Sequence, residues 1–217
     1  MNPSLPLWLD VSLWSADLAN LESEIKRLEP FADSFHLDAA DGHYVPTLLF
    51  FPDLVARLRP LTKVPFHLHL LATRPMDLLP AFLQAGVDRV TFPVEAGKRI
   101  NHAIDRVKEA GKLAGVSLEL ETPIQAVTPF RPHIASVTLM GTAMGIKGAA
   151  LDDRACDRLS EMHAILDHYE IDLIADGAIR THTAPLLRAS GATAIVPGSL
   201  LCNAPDLPAT HAWLKSL

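Results

Sequence analysis

The chain has 217 residues, 49% hydrophobic and 20% charged, which is enough apolar material for a sizeable buried core. Its formal net charge of −6 argues against a non-specific nucleic-acid binder, and any anionic ligand must be held by local groups against the mean field. Cys156 and Cys202 give neither a metal-binding spacing nor a disulfide framework, and read as idle thiols of a reducing compartment.

The opening stretch "MNPSLPLWLDVSLW" has no basic n-region, and Asp10 interrupts its apolar run. Neither a signal peptide nor a membrane span is expected, and the chain is expected to be cytoplasmic. Short apolar runs rich in β-branched residues then recur: 6–14, 34–39, 64–71, 88–95, 112–120, 134–140, 171–177 and 193–199. Most are separated by segments of helical periodicity, such as "ADLANLESEIKRLEP" and "MDLLPAFLQAG". The two joints "QAGVDRVTF" (84–92) and "ASGATAIVP" (189–197) each put Gly where a helix should stop, just before a strand. Strand and helix alternating through eight runs predict an α/β fold of the (β/α)8 TIM-barrel type, and the absence of a linker predicts a single domain over 1–217. An open flavodoxin-like sheet would need only about five strands.

Side chains two apart on a strand share a face, so His36 and Asp38 point the same way, as do His67 and His69. Asp176 ends the seventh run, just before Gly177. Active sites of this barrel lie at the carboxyl ends of the strands, so His36, Asp38, His69 and Asp176 are expected to converge there. Two imidazoles and two carboxylates suit one divalent Zn, Fe, Mn or Co ion. The segment "SFHLDAADGHYVP" (34–46) also carries Asp41 and His43, which a Gly/Pro loop should bring around the rim. The other six histidines, at 102, 133, 163, 168, 182 and 211, read as surface or packing residues. A second constellation is Gly-rich: "MGTAMGIKG" (140–148), "DGAIR" (176–180) and "PGS" (197–199) follow the last three strands. Their backbone N–H groups can approach an anion, and the loops after strands 7 and 8 are the usual phosphate site of this barrel. The expected contacts are Gly145, Gly148, Gly177, Ala178, Gly198 and Ser199, with Lys147 supplying positive charge.

Together these blocks resemble the ribulose-phosphate 3-epimerase family. "SADLANL" (15–21), "FHLDAADGHYVP" (35–46), "PFHLHLL" (65–71), "AGVDRVTFPVE" (85–95), "GVSLELETPIQAV" (115–127), "IADGAI" (174–179) and "VPGS" (196–199) follow that family's order from about residue 7 to 203. The resemblance implies a cytoplasmic, homo-oligomeric isomerase of carbohydrate metabolism acting on a small ketose phosphate, with neither nucleic acid nor membrane as partner. It implies metal ligands at His36, Asp38, His69 and Asp176, proton transfer by Asp38 and Asp176, and an active-site serine at Ser12. The physical logic agrees: a proton next to a ketone is too weakly acidic for an unaided carboxylate, and inversion needs one acid/base group on each face.

The departures concern the substrate. Where family members commonly carry "DVMDG", "HLM" and "NPGFGGQ", this chain has "DAADG" (38–42), "HLL" (69–71) and "AMGIKGA" (143–149). Two capping methionines become Ala40 and Leu71 while Met140 stays, and a family histidine on the fourth strand is Pro93. A ketose phosphate of four to six carbons is therefore expected, not ribulose 5-phosphate in particular. A phosphate-barrel decarboxylase or aldolase is disfavoured, since those enzymes place Asp-x-Lys where this chain has His36-x-Asp38. A non-catalytic sugar-phosphate binder would be expected to have lost one of the four ligands.

Overall fold

A computed structural model describes residues 6–217; the first five residues of the N-terminal stretch read above lie outside the described residues. Eight parallel strands close into a barrel in chain order: β1 (Trp8–Ser12), β2 (Ser34–Ala40), β3 (Phe66–Leu71), β4 (Arg89–Pro93), β5 (Leu113–Leu118), β6 (Ser136–Met140), β7 (Asp172–Asp176) and β8 (Ala194–Ile195). Each falls on one of the eight apolar runs, with β2 extending one residue beyond its run to Ala40. Pairing of Trp8 with Ala194 and Leu9 with Ile195 closes the ring and removes both sheet edges.

Alternation sorts the side chains into two environments. Phe35 and Leu37 on β2, and Phe66, Leu68 and Leu70 on β3, face outward into the main hydrophobic core under the helices. The helices follow the same logic. Leu21, Ile25 and Leu28 form the buried stripe of α1 (Leu21–Leu28), at the spacing of an amphipathic helix. The outer layer continues through α2 (Pro52–Leu58), α3 (Pro75–Gln84), α4 (Arg99–Glu109), α5 (Ala155–Leu166), α6 (Ala184–Ala189), α7 (Ser199–Cys202) and α8 (Leu207–Lys215). Gly86 and Gly191 follow the ends of α3 and α6, where the two look-alike joints placed the stops.

The alternation departs from one helix per strand at one place. Between β5 and β6 the chain makes only 3-10 turns, at Ile124–Val127 and Arg131–His133. Pro123, Pro129 and Pro132 fall in this short connection and deny an α-helix its backbone donors. Two helices, α7 and α8, follow β8 instead. No helix among the described residues is long and apolar enough to cross a membrane.

Inside the barrel, branched apolar residues usually fill the layers. Among the described residues, Ile174, Ala194 and Val196 form such a cluster, on the β7–β8 side. The other strands point polar groups inward: Asp10, His36, His67, Thr91, Ser117, Ser136 and Thr138 are all buried. The strand register sets Asp38 beside His69, Ser12 beside His36 and Met140 beside Asp176 at the carboxyl ends.

Candidate active site

Four side chains meet at the mouth. His36 Nε2 lies 3.2 Å from Asp38 Oδ1 and 3.8 Å from Asp176 Oδ2. His69 Nδ1 lies 3.4 Å from Asp38 Oδ1 and 3.9 Å from Asp176 Oδ2. The four ligand atoms all fall within 4.8 Å of one another. Tetrahedral ligands on bonds of about 2.1 Å stand roughly 3.4 Å apart, so this spacing suits a single small cation. His69 adds a second indication. Its Nε2 contacts Ser117 Oγ at 2.9 Å, while its buried Nδ1, which faces both carboxylates, has no hydrogen-bond partner. A buried polar atom without a partner is costly unless something else binds it. The residues therefore fit a metal ion, and the donor set of two imidazoles and two carboxylates is compatible with several divalent metals.

The two carboxyls are driven apart electrostatically. Burial alone would raise Asp38, but the charge and hydrogen bond of His36 outweigh it and hold Asp38 below the usual carboxylate range. Burial raises Asp176; against the pull of His36, the Asp38 charge adds to that rise and brings it up to about 6. Opposed shifts in neighbouring carboxyls are a common mark of acid/base pairs.

Below this layer lies a polar network that the sequence reading left unassigned. Asp10 Oδ2 is 2.8 Å from His36 Nδ1 and 2.6 Å from His67 Nδ1, and Asp10 Oδ1 accepts from Ser34 Oγ at 2.6 Å. Burial works to raise the Asp10 carboxyl, but His67 and His36 outweigh it and keep it well below its ordinary range. His67 itself is pulled down to about 4, chiefly by burial. His67 thus shares the inward face with His69, as expected from the strand, but belongs to the layer beneath.

Asp41 and His43 reach the rim, with different fates. Asp41 accepts from the backbone of His43, Tyr44 and Thr73 at 2.7–2.8 Å, so it organises the loop after β2. His43 is exposed. Tyr44 then donates to Glu119 Oε1 at 2.6 Å, tying that loop to the end of β5. Of the six other histidines, 102, 133, 168 and 182 are exposed, 163 is half-buried, and half-buried His211 packs edge-on against Phe31.

The cluster opens into a cavity of about 310 Å³, lined by Asp38, His69 and Asp176 below and by the Gly-rich loops above. All the residues read as anion contacts line it: Gly145, Lys147, Gly148, Gly177, Ala178, Gly198 and Ser199, together with Ser12 and Met140. Two glycines are required by contact. A Cβ on Gly177, at φ +100°, would sit 2.5 Å from Thr142 Oγ1, and one on Gly198 would sit 2.3 Å from Ser15 Oγ. Ala178 is the one non-Gly residue with positive φ among those described, at +54°. Its carbonyl is held by Thr183 Oγ1 at 2.6 Å. Replacing Ala178 with Gly relieves strain of about 1 kcal/mol but adds a similar unfolded-chain entropy. The expected result is a melting temperature within a few degrees of the parent for Ala178→Gly and a clear drop for β-branched Ala178→Val, read by thermal denaturation.

Lys147 does not point freely into solvent. Its ammonium donates to the Trp14 carbonyl oxygen and lies 4.7 Å from the centroid of the Trp14 ring. Burial lowers its pKa from the ordinary value, opposed by the charge of Asp38. Two residues missed in the sequence complete the wall. Arg180 lines the cavity, its Nη1 3.3 Å from Ser199 Oγ, with no ion-pair partner among the described residues. Met144 is buried with Ala40, Leu71 and Met140, so the loop after β6 brings a thioether to the cap where β2 and β3 carry none.

The family model described as the ribulose-phosphate 3 epimerase family matches residues 8–202. The chain is 34% identical over 199 residues to the ribulose-phosphate 3-epimerase of Bacillus subtilis (strain 168), covering 90% of this chain and 92% of that protein. It is 31% identical over 200 residues to the ribulose-phosphate 3-epimerase of Escherichia coli (strain K12), covering 90% and 88%. Among solved structures, a 3-hexulose-6-phosphate synthase superposes with a TM-score of 0.71 at 14% identity, over 98% of this chain and 99% of the other. That likeness speaks for the barrel alone. The sequence match runs from β1 to the end of α7 and takes in every strand that contributes to the mouth, and on this ground the chain belongs to the ribulose-phosphate 3 epimerase family.

Proposed function

We propose that this protein is a metal-dependent ketose-phosphate 3-epimerase that inverts the carbon next to the ketone by two-base proton transfer. The observation that carries the reading is the meeting of Asp38 from β2 and Asp176 from β7 with two imidazoles at the floor of one cavity. His36, Asp38, His69 and Asp176 would hold the ion, which supplies Lewis-acid stabilisation of the charge developing on the ketone oxygen. Asp38 and Asp176 reach the substrate from different strands, so one removes the proton from one face and the other returns a proton to the opposite face. Ligation would fix both carboxylates in place, and burial would keep bulk water from intercepting the enediolate. Met140, Met144 and Leu71 form the apolar side of the cavity and leave the reacting carbon dry. Ser12, at the end of β1, lines the cavity and would hydrogen-bond a hydroxyl of the sugar.

The phosphate group lies against the loops after β6, β7 and β8. Gly177, Ala178 and Gly198 line the cavity, and among the described residues their backbone N–H groups donate none of the loop hydrogen bonds, which supports a role as anion donors. Arg180 and Lys147 supply the positive charge that an acidic chain otherwise lacks there. A charge-assisted hydrogen bond contributes about 1.5–3 kcal/mol. Arg180→Gln and Lys147→Ala are each expected to raise KM for a ketose phosphate by roughly ten- to a hundredfold, with a smaller change in kcat. Steady-state kinetics on phosphorylated and dephosphorylated sugar read this directly. Equal activity on the two sugars would sink the phosphate site.

The activity itself is tested in heavy water. D-ribulose 5-phosphate and other ketose phosphates of four to six carbons are incubated with metal-loaded protein and followed by NMR. An epimerase must place solvent deuterium on the carbon next to the carbonyl and produce the epimer. A panel in which no sugar phosphate gains deuterium would reject the reading.

A further inference from the structure

We infer that Asp10 is a positioning residue of the metal centre, fixing the tautomer and orientation of His36 from beneath. The inference rests on the metal reading above. It starts from donor and acceptor chemistry. An ionised carboxylate only accepts, so both imidazoles that reach Asp10 Oδ2 must donate, His36 through Nδ1–H at 2.8 Å and His67 through Nδ1–H at 2.6 Å. With its Nδ1 committed, His36 presents Nε2 to the cluster, where that atom faces Asp38 and Asp176.

Asp10 is itself held from two further sides, by Ser34 and His67. Ser34 Oγ donates to Asp10 Oδ1 at 2.6 Å and receives Trp8 Nε1–H at 2.9 Å. His67, a donor at Nδ1, is an acceptor at Nε2 in its neutral form, and Thr91 Oγ1 meets that atom at 2.7 Å. Every hydrogen bond in the chain therefore runs toward Asp10. The groups are almost wholly out of water: Asp10, His36, His67 and Thr91 are each at most 3% exposed. Neither the proton transfer nor the anion site uses Asp10, His67 or Thr91, so the mechanism alone gives no reason for a carboxylate in the barrel interior.

The two histidines of the cluster are backed unequally. His36 has a carboxylate behind it, whereas His69 has only the hydroxyl of Ser117 at 2.9 Å. A carboxylate partner orients an imidazole and makes its free nitrogen more basic, and loss of such a partner costs metal affinity about ten- to a hundredfold. The ranking follows: Asp10 matters more to metal affinity than Ser117.

The test measures Zn²⁺ affinity of the full chain by chelator competition, with histidine ¹⁵N NMR on the zinc-loaded protein. Asp10→Asn keeps the shape and removes the charge. It is expected to weaken zinc about ten- to a hundredfold and, in the zinc-loaded protein, to move the Nδ1–H resonance of His36 upfield as its charged hydrogen-bond acceptor is lost. Ser117→Ala should weaken zinc by less than Asp10→Asn. Ser34→Ala frees only one oxygen of Asp10 and serves if Asp10→Asn does not fold; it should loosen zinc measurably, and because it leaves that buried oxygen without a partner it also lowers the melting temperature of the metal-free protein, so zinc affinity and not stability is its readout. Wild-type zinc affinity in Asp10→Asn, or in Ser34→Ala where that variant stands in, overturns the role of Asp10 while leaving the metal site intact. Failure of the parent chain to bind zinc overturns the metal reading itself and this inference with it.

Discussion

Asp38→Asn and Asp176→Asn are each expected to lower epimerisation by roughly a hundred- to ten-thousandfold, the range in which a positioned acid or base contributes. Asparagine keeps the volume of aspartate and one oxygen that can face a cation, but it cannot carry a proton. The loss should therefore appear in kcat, with the phosphorylated substrate still held by Arg180, Lys147 and the Gly-rich loops. The two variants need not behave alike toward deuterium. Whichever carboxylate survives can still remove the proton from its own face and return a deuteron to the same face. One variant should thus exchange without inverting, starting from one epimer, and the other should do so starting from its mirror partner at that carbon. Turnover above about a tenth of the parent in either variant would reject the two-base assignment.

The fold and most of this site were legible because both rest on local periodicity. Period-two alternation places His36 with Asp38 and His67 with His69, and a barrel turns strand ends into neighbours. Depth was harder to read. Asp10 stands two residues before Ser12 on the same face of β1, so the alternation that found His36 and Asp38 also covers it. It was passed over because an acidic residue inside a barrel has no meaning until its partners, 26 and 57 residues away, are known. Loops carry no periodicity at all, and this hid Arg180 and Met144. Arg180 lies in the quoted "DGAIR", but only the curl of the chain after Gly177 brings it to Ser199. Met144 likewise restores bulk over the cluster from a loop, whereas the strand-by-strand reading reaches only Ala40, Leu71 and Met140. The proline-rich join between β5 and β6 shows the opposite case, a departure from the repeat that three prolines state openly.

Stripping divalent metal with a chelator is expected to abolish epimerisation, and adding back a suitable divalent ion, with Zn²⁺ the first choice, should restore it. The proton next to a ketone is held far too tightly for a carboxylate to remove at a useful rate, so Asp38 and Asp176 alone leave the barrier nearly untouched. The same ion should show itself in stability. At a free concentration one hundred times its dissociation constant, a ligand that binds only the folded state stabilises it by about 2.7 kcal/mol. For a chain of this length that amounts to a rise of roughly 5–10 °C in melting temperature. His69→Ala removes the buried nitrogen that lacks a partner, and should lose most of both responses. The comparison separates causes, because truncating a buried imidazole also costs stability whether or not metal is present. The decisive quantity is therefore the increment on adding metal, measured within each variant. A parent protein that keeps full activity after exhaustive chelation, and whose melting temperature ignores added ion, would leave the four-residue cluster without a metal and require the two carboxyls to act by themselves.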